Sequence, residues 1–200
     1  MKYSIFIPFL SKSKTIQRCL NALHENSVHE HEIVLTCGET DVYFAFNEGV
    51  YKCKNDIVVL MNDDMVVSKG WDRLIPTHAS PDVILTTYVV EPNPGGLPIG
   101  PSCIAHDCGT EHNFDYNKFQ KFVDEQSKDK PDIVPNATGW FMPMIVNKKT
   151  FVTFPNVIKF PICANDILLF NMLHQHDECE YKFGVLNSYT YHFGHATSRA

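Results

Sequence analysis

The sequence predicts a single α/β domain with a mainly parallel central sheet flanked by helices. Residues 3–9, 32–36, 56–61 and 82–90 are short apolar runs rich in β-branched side chains, and helical patterns separate the first three. Strands that are apolar throughout and alternate with helices are typical of a parallel sheet covered on both faces. The chain has 200 residues, of which 44% are hydrophobic and 20% charged, enough for one complete core.

Each element of the first half has its own signal. The strand over 3–9 combines β-branched and aromatic residues and contains a proline near its end. Apolar residues at helical spacing follow over 16–23, after two serines that can cap a helix. A second helix is predicted over 42–51, where Phe46 and Val50 are four residues apart.

The second half is less regular. Residues 91–100 contain three prolines and three glycines and are predicted to form a loop. The further predicted elements are a helix over 117–126, a strand over 138–146, a helix over 167–173 and two closing strands over 181–185 and 189–193.

Composition limits the function classes. The net charge is −6 and the pI about 5.9, which disfavours nucleic acid as a partner. No apolar run reaches membrane-spanning length, so no transmembrane segment is expected. The seven cysteines are irregularly spaced and include no C-x-x-C pair, which indicates free thiols and a soluble cytoplasmic protein.

Three polar residues, Asn62, Asp63 and Asp64, directly follow the apolar strand over 56–61. Ligands of open parallel sheets bind beyond the carboxyl ends of the strands. Mg²⁺ and Mn²⁺ take oxygen ligands, commonly one or two carboxylates together with substrate phosphates. The position therefore suits a divalent metal site, although an acidic turn that merely ends a strand has the same sequence.

A series of short motifs runs along the whole chain. Asn47-Glu48-Gly49 precedes residues 55–64, where the apolar strand ends in Asn62-Asp63-Asp64. These two segments resemble the N-x-G and strand–DXD segments of the family 2 glycosyltransferases of GT-A fold. By this resemblance, Asn62 stands in place of the first acid of the DXD motif and Asp64 in place of the last. Residues 4–10 resemble the family's first βα unit, and residues 36–41 stand where it carries a D-x-G-S-x-D loop.

The resemblance continues in order through the second half. Residues 138–151 look like the family's Gly-aromatic strand and the basic turn that follows it near the acceptor. Residues 165–169 resemble its E-D-x-D-L motif, with Asn165 in place of the first acid. Residues 192–198 resemble a late H-x-x-x-x-x-S segment, in which the histidine completes the metal site.

This resemblance implies a metal-dependent, inverting glycosyltransferase that moves a sugar from a nucleoside-diphosphate sugar, with UDP-sugar as the expected donor, to an acceptor hydroxyl. It implies Mn²⁺ or Mg²⁺ held by Asp64 and His192, and Asp166 as the general base. The implied nucleotide-sugar contacts are Pro8, Phe9, Ser11, Glu39, Asn47, Asn62 and Asp63. The implied donor or acceptor sugar contacts are Gly139, Trp140 and Asn165.

The implied roles satisfy the chemistry of glycosyl transfer. A cation can neutralise the diphosphate leaving group, and a carboxylate can take the proton of the acceptor hydroxyl. Asp166 begins a predicted helix, whose dipole favours the charged carboxylate, although it can equally be only a helix cap. Trp140 and Phe141 either form a platform for a sugar ring or belong to the core.

The expected organisation is one domain over 1–200, with a nucleotide-binding half at about 1–90 and an acceptor half at about 91–200. The chain ends shortly after the segment that starts at His192, so it can be one domain of a longer polypeptide.

Other functions remain open at this point. A nucleotidyltransferase shares the crevice and the metal, but residues 10–14 lack the glycines of its usual opening loop. A non-catalytic nucleotide- or carbohydrate-binding module on the same fold is compatible with Asn62 and Asn165 in place of acids. The residues Cys103, His106, Cys108 and His112 match no common structural zinc spacing.

Overall fold

The computed structural model describes residues 2–38, 42–92, 102–136, 142–149 and 182–194. The strands are β1 (Tyr3–Phe9), β2 (His31–Cys37), β3 (Ile57–Leu60), β4 (Met65–Val67), β5 (Val83–Glu91), β6 (Cys103–Ala105), β7 (Ile133–Pro135), β8 (Met144–Asn147) and β9 (Lys182–His192). The helices are α1 (Ile16–Asn26), α2 (Val42–Lys52), α3 (Ile75–His78) and α4 (Tyr116–Gln126). Within these described residues, nine strands form one sheet in the order β2-β1-β3-β8-β5-β9-β4, with β6 beside β5 and β7 beside β9.

Most of the predicted helices and strands among the described residues are confirmed. β1, β2, β3, β5, α2 and α4 agree with their predicted ranges to within one residue at each end, and α1 begins at Ile16. β1 lies between β2 and β3 and is parallel to both. Its residues Tyr3 to Ile7 are buried, as the apolar run predicts.

The prediction of a mainly parallel sheet is wrong, because the sheet is mixed. β1 pairs in parallel with β2 and β3, and β5 pairs in parallel with β6 and β9. The pairs β3–β8, β5–β8, β4–β9 and β7–β9 are antiparallel. An apolar strand shows that both of its faces are covered, which the helices and the core achieve here, but it carries no information on the direction of its neighbours.

Three further predictions need correction. The two closing strands are one strand, β9, whose pairing register with β5 shifts between Thr87 and Tyr88 instead of breaking. Glu91 belongs to β5 and not to the loop predicted over 91–100. Of the strand predicted over 138–146, the described part is extended only from Met144, and the helix predicted over 167–173 lies outside the described residues.

The glycine of the N-x-G motif has a steric role in the core. A Cβ atom built on Gly49 of α2 would lie 2.3 Å from ring atoms of Phe6, which is fully buried in β1. Since the ring cannot leave the core without opening a cavity, only glycine lets α2 approach β1 this closely. This contact fixes the distance between α2, the helix that follows β2, and the sheet.

Among the helices of the described residues, none has the length and apolar character needed to cross a membrane.

Candidate metal centre

The direction of the strands brings three distant residues to one edge of the sheet. β3, β5 and β9 all run the same way, since β8 is antiparallel to both β3 and β5, and β9 is parallel to β5. Their carboxyl ends therefore share one edge, where Asp64 follows β3, Glu91 ends β5 and His192 ends β9. We call Asp64, Glu91 and His192 the carboxylate–histidine cluster.

Strand pairing holds the members of this cluster together. In the β4–β9 ladder Met65 lies opposite His192, and the Phe193 N–H donates to the Asp64 carbonyl oxygen at 3.1 Å. On the other side of β9, Val90 pairs with Tyr191, so the next residue of each strand is Glu91 and His192 respectively. β9 thus places the histidine between the two carboxylates.

The imidazole of His192 contacts a carboxylate through each ring nitrogen. Nε2 lies 3.2 Å from Asp64 Oδ1, and Nδ1 lies 2.6 Å from Glu91 Oε1. The side chains of Asp64, Glu91 and His192 are 3%, 18% and 21% exposed. Burial lowers the pKa of His192, but the nearby carboxylates of Asp64 and Glu91 raise it by more, so the net shift is upward.

The donor atoms of Asp64 and His192 fit a divalent cation. Two neighbouring ligands of an octahedral ion with bonds of about 2.1 Å lie about 3 Å apart, close to the observed 3.2 Å between Nε2 and Oδ1. Within the described residues, no group of three or more His, Cys, Asp or Glu side chains is arranged to hold a metal. The two donors therefore suit an ion that takes its remaining ligands from phosphate oxygens and water, as Mg²⁺ and related hard cations do.

Asp63 has a different environment from its neighbour. Its Oδ2 accepts a very short hydrogen bond from Ser13 Oγ, and the same Ser13 oxygen accepts from the backbone N–H of Ile16 at the start of α1. Burial raises the pKa of the Asp63 carboxyl, with a further contribution from Asp64, whereas the Ser13 hydrogen bond opposes the shift. Asp63 therefore ties the loop after β3 to α1.

Four other described residues predicted for the nucleotide sugar, Pro8, Phe9, Ser11 and Asn62, lie at or just beyond the carboxyl ends of β1 and β3. Pro8 and Phe9 end β1 and are half-buried, and Ser11 is exposed in the turn that follows. Asn62 is half-buried, and its carbonyl oxygen lies 3.9 Å from Cys19 Sγ. Asn47 lies within α2. Glu39, Gly139, Trp140, Asn165 and Asp166 lie outside the described residues.

Two residues of this edge, Ser13 and Glu91, were not predicted as site residues. From the sequence, Ser13 is predicted only as one of two serines that can cap α1, although it lies two positions from Ser11. Glu91 was assigned to a loop because a Pro- and Gly-rich stretch follows it. A carboxylate at the end of an apolar strand is the signal that could have found it, as it did for Asp64.

Comparison with known proteins gives a fold and no sequence family. No family model and no curated protein matches the sequence. A crystal structure of GalNAc-T7 with UDP, GalNAc and Mn²⁺ superposes with a TM-score of 0.63 over 96% of this chain, at 10% identity. S. aureus TarS in complex with UDP-GlcNAc superposes with a TM-score of 0.56 over 100% of the chain, at 16% identity. The chain has the GT-A glycosyltransferase fold.

The predicted GT-A fold is confirmed, while the sheet is mixed as described above. This chain spans 43% of the GalNAc-T7 chain and 61% of the TarS chain in the UDP-GlcNAc complex. The activities of those longer proteins therefore enter here only as support for a proposal.

Proposed function

We propose that this chain is a metal-dependent glycosyltransferase that moves a sugar from a UDP-sugar to an acceptor hydroxyl. The observation that carries the proposal is the approach of Asp64 Oδ1 to His192 Nε2 at the carboxyl edge of a GT-A sheet. Two structural neighbours support it: one structure holds UDP, GalNAc and Mn²⁺, and another holds UDP-GlcNAc.

In this proposal Asp64 and His192 hold Mn²⁺ or Mg²⁺. The bound cation supplies Lewis-acid neutralisation of the charge that grows on the diphosphate leaving group. The carboxylate of Asp64 is almost completely buried, and its main chain is paired with β9 through Phe193. Both donors are thus positioned before any ligand arrives, which lowers the cost of reorganisation during transfer.

Residues around the same edge bind the nucleotide. Pro8, Phe9 and Ser11 lie at the end of β1 and in the turn after it, and Asn62 lies two residues before Asp64. In the proposal these side chains, with Glu39 and Asn47, contact the base and ribose. Asp63 acts on them indirectly, since its hydrogen bond with Ser13 fixes the loop that carries Asn62.

Asp166 is the proposed general base. It takes the proton of the acceptor hydroxyl while that oxygen attacks the anomeric carbon in line with the leaving diphosphate, and the configuration inverts. Gly139, Trp140 and Asn165 are the proposed sugar contacts. In this scheme residues 1–90 bind the nucleotide and residues 91–200 carry the acceptor side.

Calorimetric titration of UDP and of GDP, each with and without Mn²⁺, tests the proposal. We expect wild type to bind UDP in a Mn²⁺-dependent manner, and Asp64→Ala and the isosteric Asp64→Asn to lose that dependence. Glu32→Ala is the control, because Glu32 is a carboxylate that is only 22% exposed and lies at the opposite edge of the sheet. Failure of wild type to bind either nucleotide under any metal condition would overturn the proposal.

A second measurement separates catalysis from mere binding. Asp166→Asn should abolish transfer from UDP-sugars while UDP affinity stays at the wild-type value, because the base acts only when the acceptor attacks. A wild-type protein that binds UDP with Mn²⁺ but transfers no sugar to any acceptor tested would instead be a nucleotide-binding module.

A further inference from the structure

The proposed cation would bind Nε2 of His192 and leaves open what holds the other ring nitrogen, Nδ1. A neutral imidazole carries one proton, and the partner of the protonated nitrogen decides which nitrogen is left to bind a metal. Metal-binding histidines usually donate their other ring N–H to a carboxylate or carbonyl, which fixes the tautomer and the orientation of the ring.

Glu91 occupies this position. Its Oε1 lies 2.6 Å from His192 Nδ1, within the range of a charge-assisted hydrogen bond. A cation at this position would displace the proton from Nε2 while the Nδ1 proton stays donated to Glu91, so that Nε2 would face the cation beside Asp64. The two nitrogens of an imidazole point away from each other, so Glu91 Oε1 supports the ring from the side opposite the cation.

The main chain of Glu91 is paired with β6 on one side, and its neighbour Val90 is paired with β9 on the other. Glu91 pairs with Ala105 of β6, and its carbonyl oxygen accepts from the His106 N–H at 2.9 Å. On the other side β5 pairs with β9 up to Val90 and Tyr191. A carboxylate held between two neighbouring strands can orient the ring without rearranging when a ligand binds.

We propose that Glu91 is a positioning residue that fixes the Nδ1–H tautomer and the ring orientation of His192, so that Nε2 faces the metal beside Asp64. This inference rests on the proposed function, because it needs a cation between Nε2 and Asp64. The inference gives Glu91, at the end of β5, a role in metal affinity in addition to its pairing in the sheet.

Mn²⁺ binding without turnover tests the inference. The electron paramagnetic resonance signal of free Mn²⁺ is followed while Mn²⁺ is added to the protein in the presence of UDP. Loss of an outer carboxylate typically weakens metal binding 10- to 100-fold, so we expect about that loss for Glu91→Ala. Glu91→Gln should recover part of it, since its amide oxygen can still accept from Nδ1–H. Glu32→Ala should bind Mn²⁺ as wild type does.

A spectroscopic readout separates positioning from stability. Long-range ¹H–¹⁵N correlation spectra of histidine-labelled protein with Mg²⁺ and UDP report the tautomer, and the His192 signals are assigned with His192→Gln. We expect a single Nδ1–H tautomer in wild type and a mixture in Glu91→Ala. If Glu91→Ala does not fold, Glu91→Gln is compared with wild type by the same spectra and titration.

The outcomes distinguish this inference from the function beneath it. Wild-type Mn²⁺ affinity and an unchanged tautomer in the folded Glu91 variants would overturn the positioning role and leave the proposed function intact. Equal losses in Glu91→Ala and Glu32→Ala would also overturn it, because they indicate general destabilisation. Absence of Mn²⁺ binding by wild type with UDP would overturn the proposed metal site, and the inference with it.

Discussion

The two edges of the sheet carry charge pairs of equal length and very different character. At the amino edge Lys2 Nζ lies 2.6 Å from Glu30 Oε2, with both side chains more than 70% exposed. At the carboxyl edge His192 lies at the same 2.6 Å from Glu91, with both side chains about one-fifth exposed. Water screens the first pair, and little water screens the second. Distance alone therefore does not distinguish the two pairs, whereas burial does.

The net charge of each edge supports the same distinction. The amino edge balances Lys2 against Glu30 and Lys54 against Glu32. The carboxyl edge places the three carboxylates of Asp63, Asp64 and Glu91 around one imidazole. An excess of buried negative charge is unfavourable without a cation, so we expect this edge to gain stability from a divalent ion, which the amino edge does not need.

The largest expected difference between the two edges is in how their variants respond to added metal. At a concentration 100 times its dissociation constant, Mn²⁺ with UDP should stabilise wild type by about 2.7 kcal/mol, or raise Tm by roughly 5–10 °C for a chain of this size. Asp64→Asn should lose this shift and Glu32→Gln should keep it, as measured by calorimetric melting against an EDTA baseline. An equal shift in wild type and Asp64→Asn would place the ion elsewhere.

Removal of the Ser13 hydroxyl should show that Asp63 has a structural role, in contrast to the proposed metal-binding role of Asp64. Ser13→Ala leaves the buried Asp63 carboxylate without its side-chain donor, which should lower the free energy of unfolding by about 1–3 kcal/mol. Ser11→Ala, in an exposed turn, should change it by less than about 0.5 kcal/mol. Urea unfolding measures both variants, and equal values for the two would show that Asp63 does not tie the loop to α1.

The pH dependence of the amino edge should give the smallest effect. The Lys54 backbone N–H lowers the pKa of Glu32, against a smaller opposing effect of burial. Because this folded-state pKa is depressed, the ionised carboxylate stabilises the fold above its unfolded pKa of about 4.3, and that contribution is lost as the pH falls through the folded value.

Glu32→Gln should therefore be less stable than wild type at pH 7, by at most about 1 kcal/mol after solvent screening, and the difference should narrow below about pH 4.3. Urea unfolding between pH 7 and pH 4 measures it. Glu30→Gln changes an exposed pair, so its free energy of unfolding should equal that of wild type at every pH in this range. A difference for Glu32→Gln that widens towards acid pH would contradict the assignment of the stabilising form.

Local patterns predicted the elements well where the signal lies within one segment. α1 and β1 follow from periodicity and from a continuous apolar run. β4, β6 and β7 were missed because strands of three residues contain too little pattern to detect. The mixed direction of the sheet depends on how β8 enters between β3 and β5, and no local pattern specifies that.

The site was predictable only in part. Asp64 follows from its place after an apolar strand, and its approach to His192 followed from the family resemblance. The contact between Glu91 and His192 joins residues 101 positions apart through the register of two strands. A sequence without register information cannot supply such a pair. The role of Asp166 stays a prediction, because it lies outside the described residues.

The position of β9 has a consequence for how the protein is made. β9 pairs with β4, β5 and β7, all of which leave the ribosome before it does. Until residues 182–192 emerge, those strands expose unpaired backbone edges that can join to a wrong neighbour. Closing contacts over so many residues is also slow. We therefore expect the nascent chain to depend on protection from aggregation until β9 has been synthesised, so that the carboxylate–histidine cluster and the sheet are completed in the same late step.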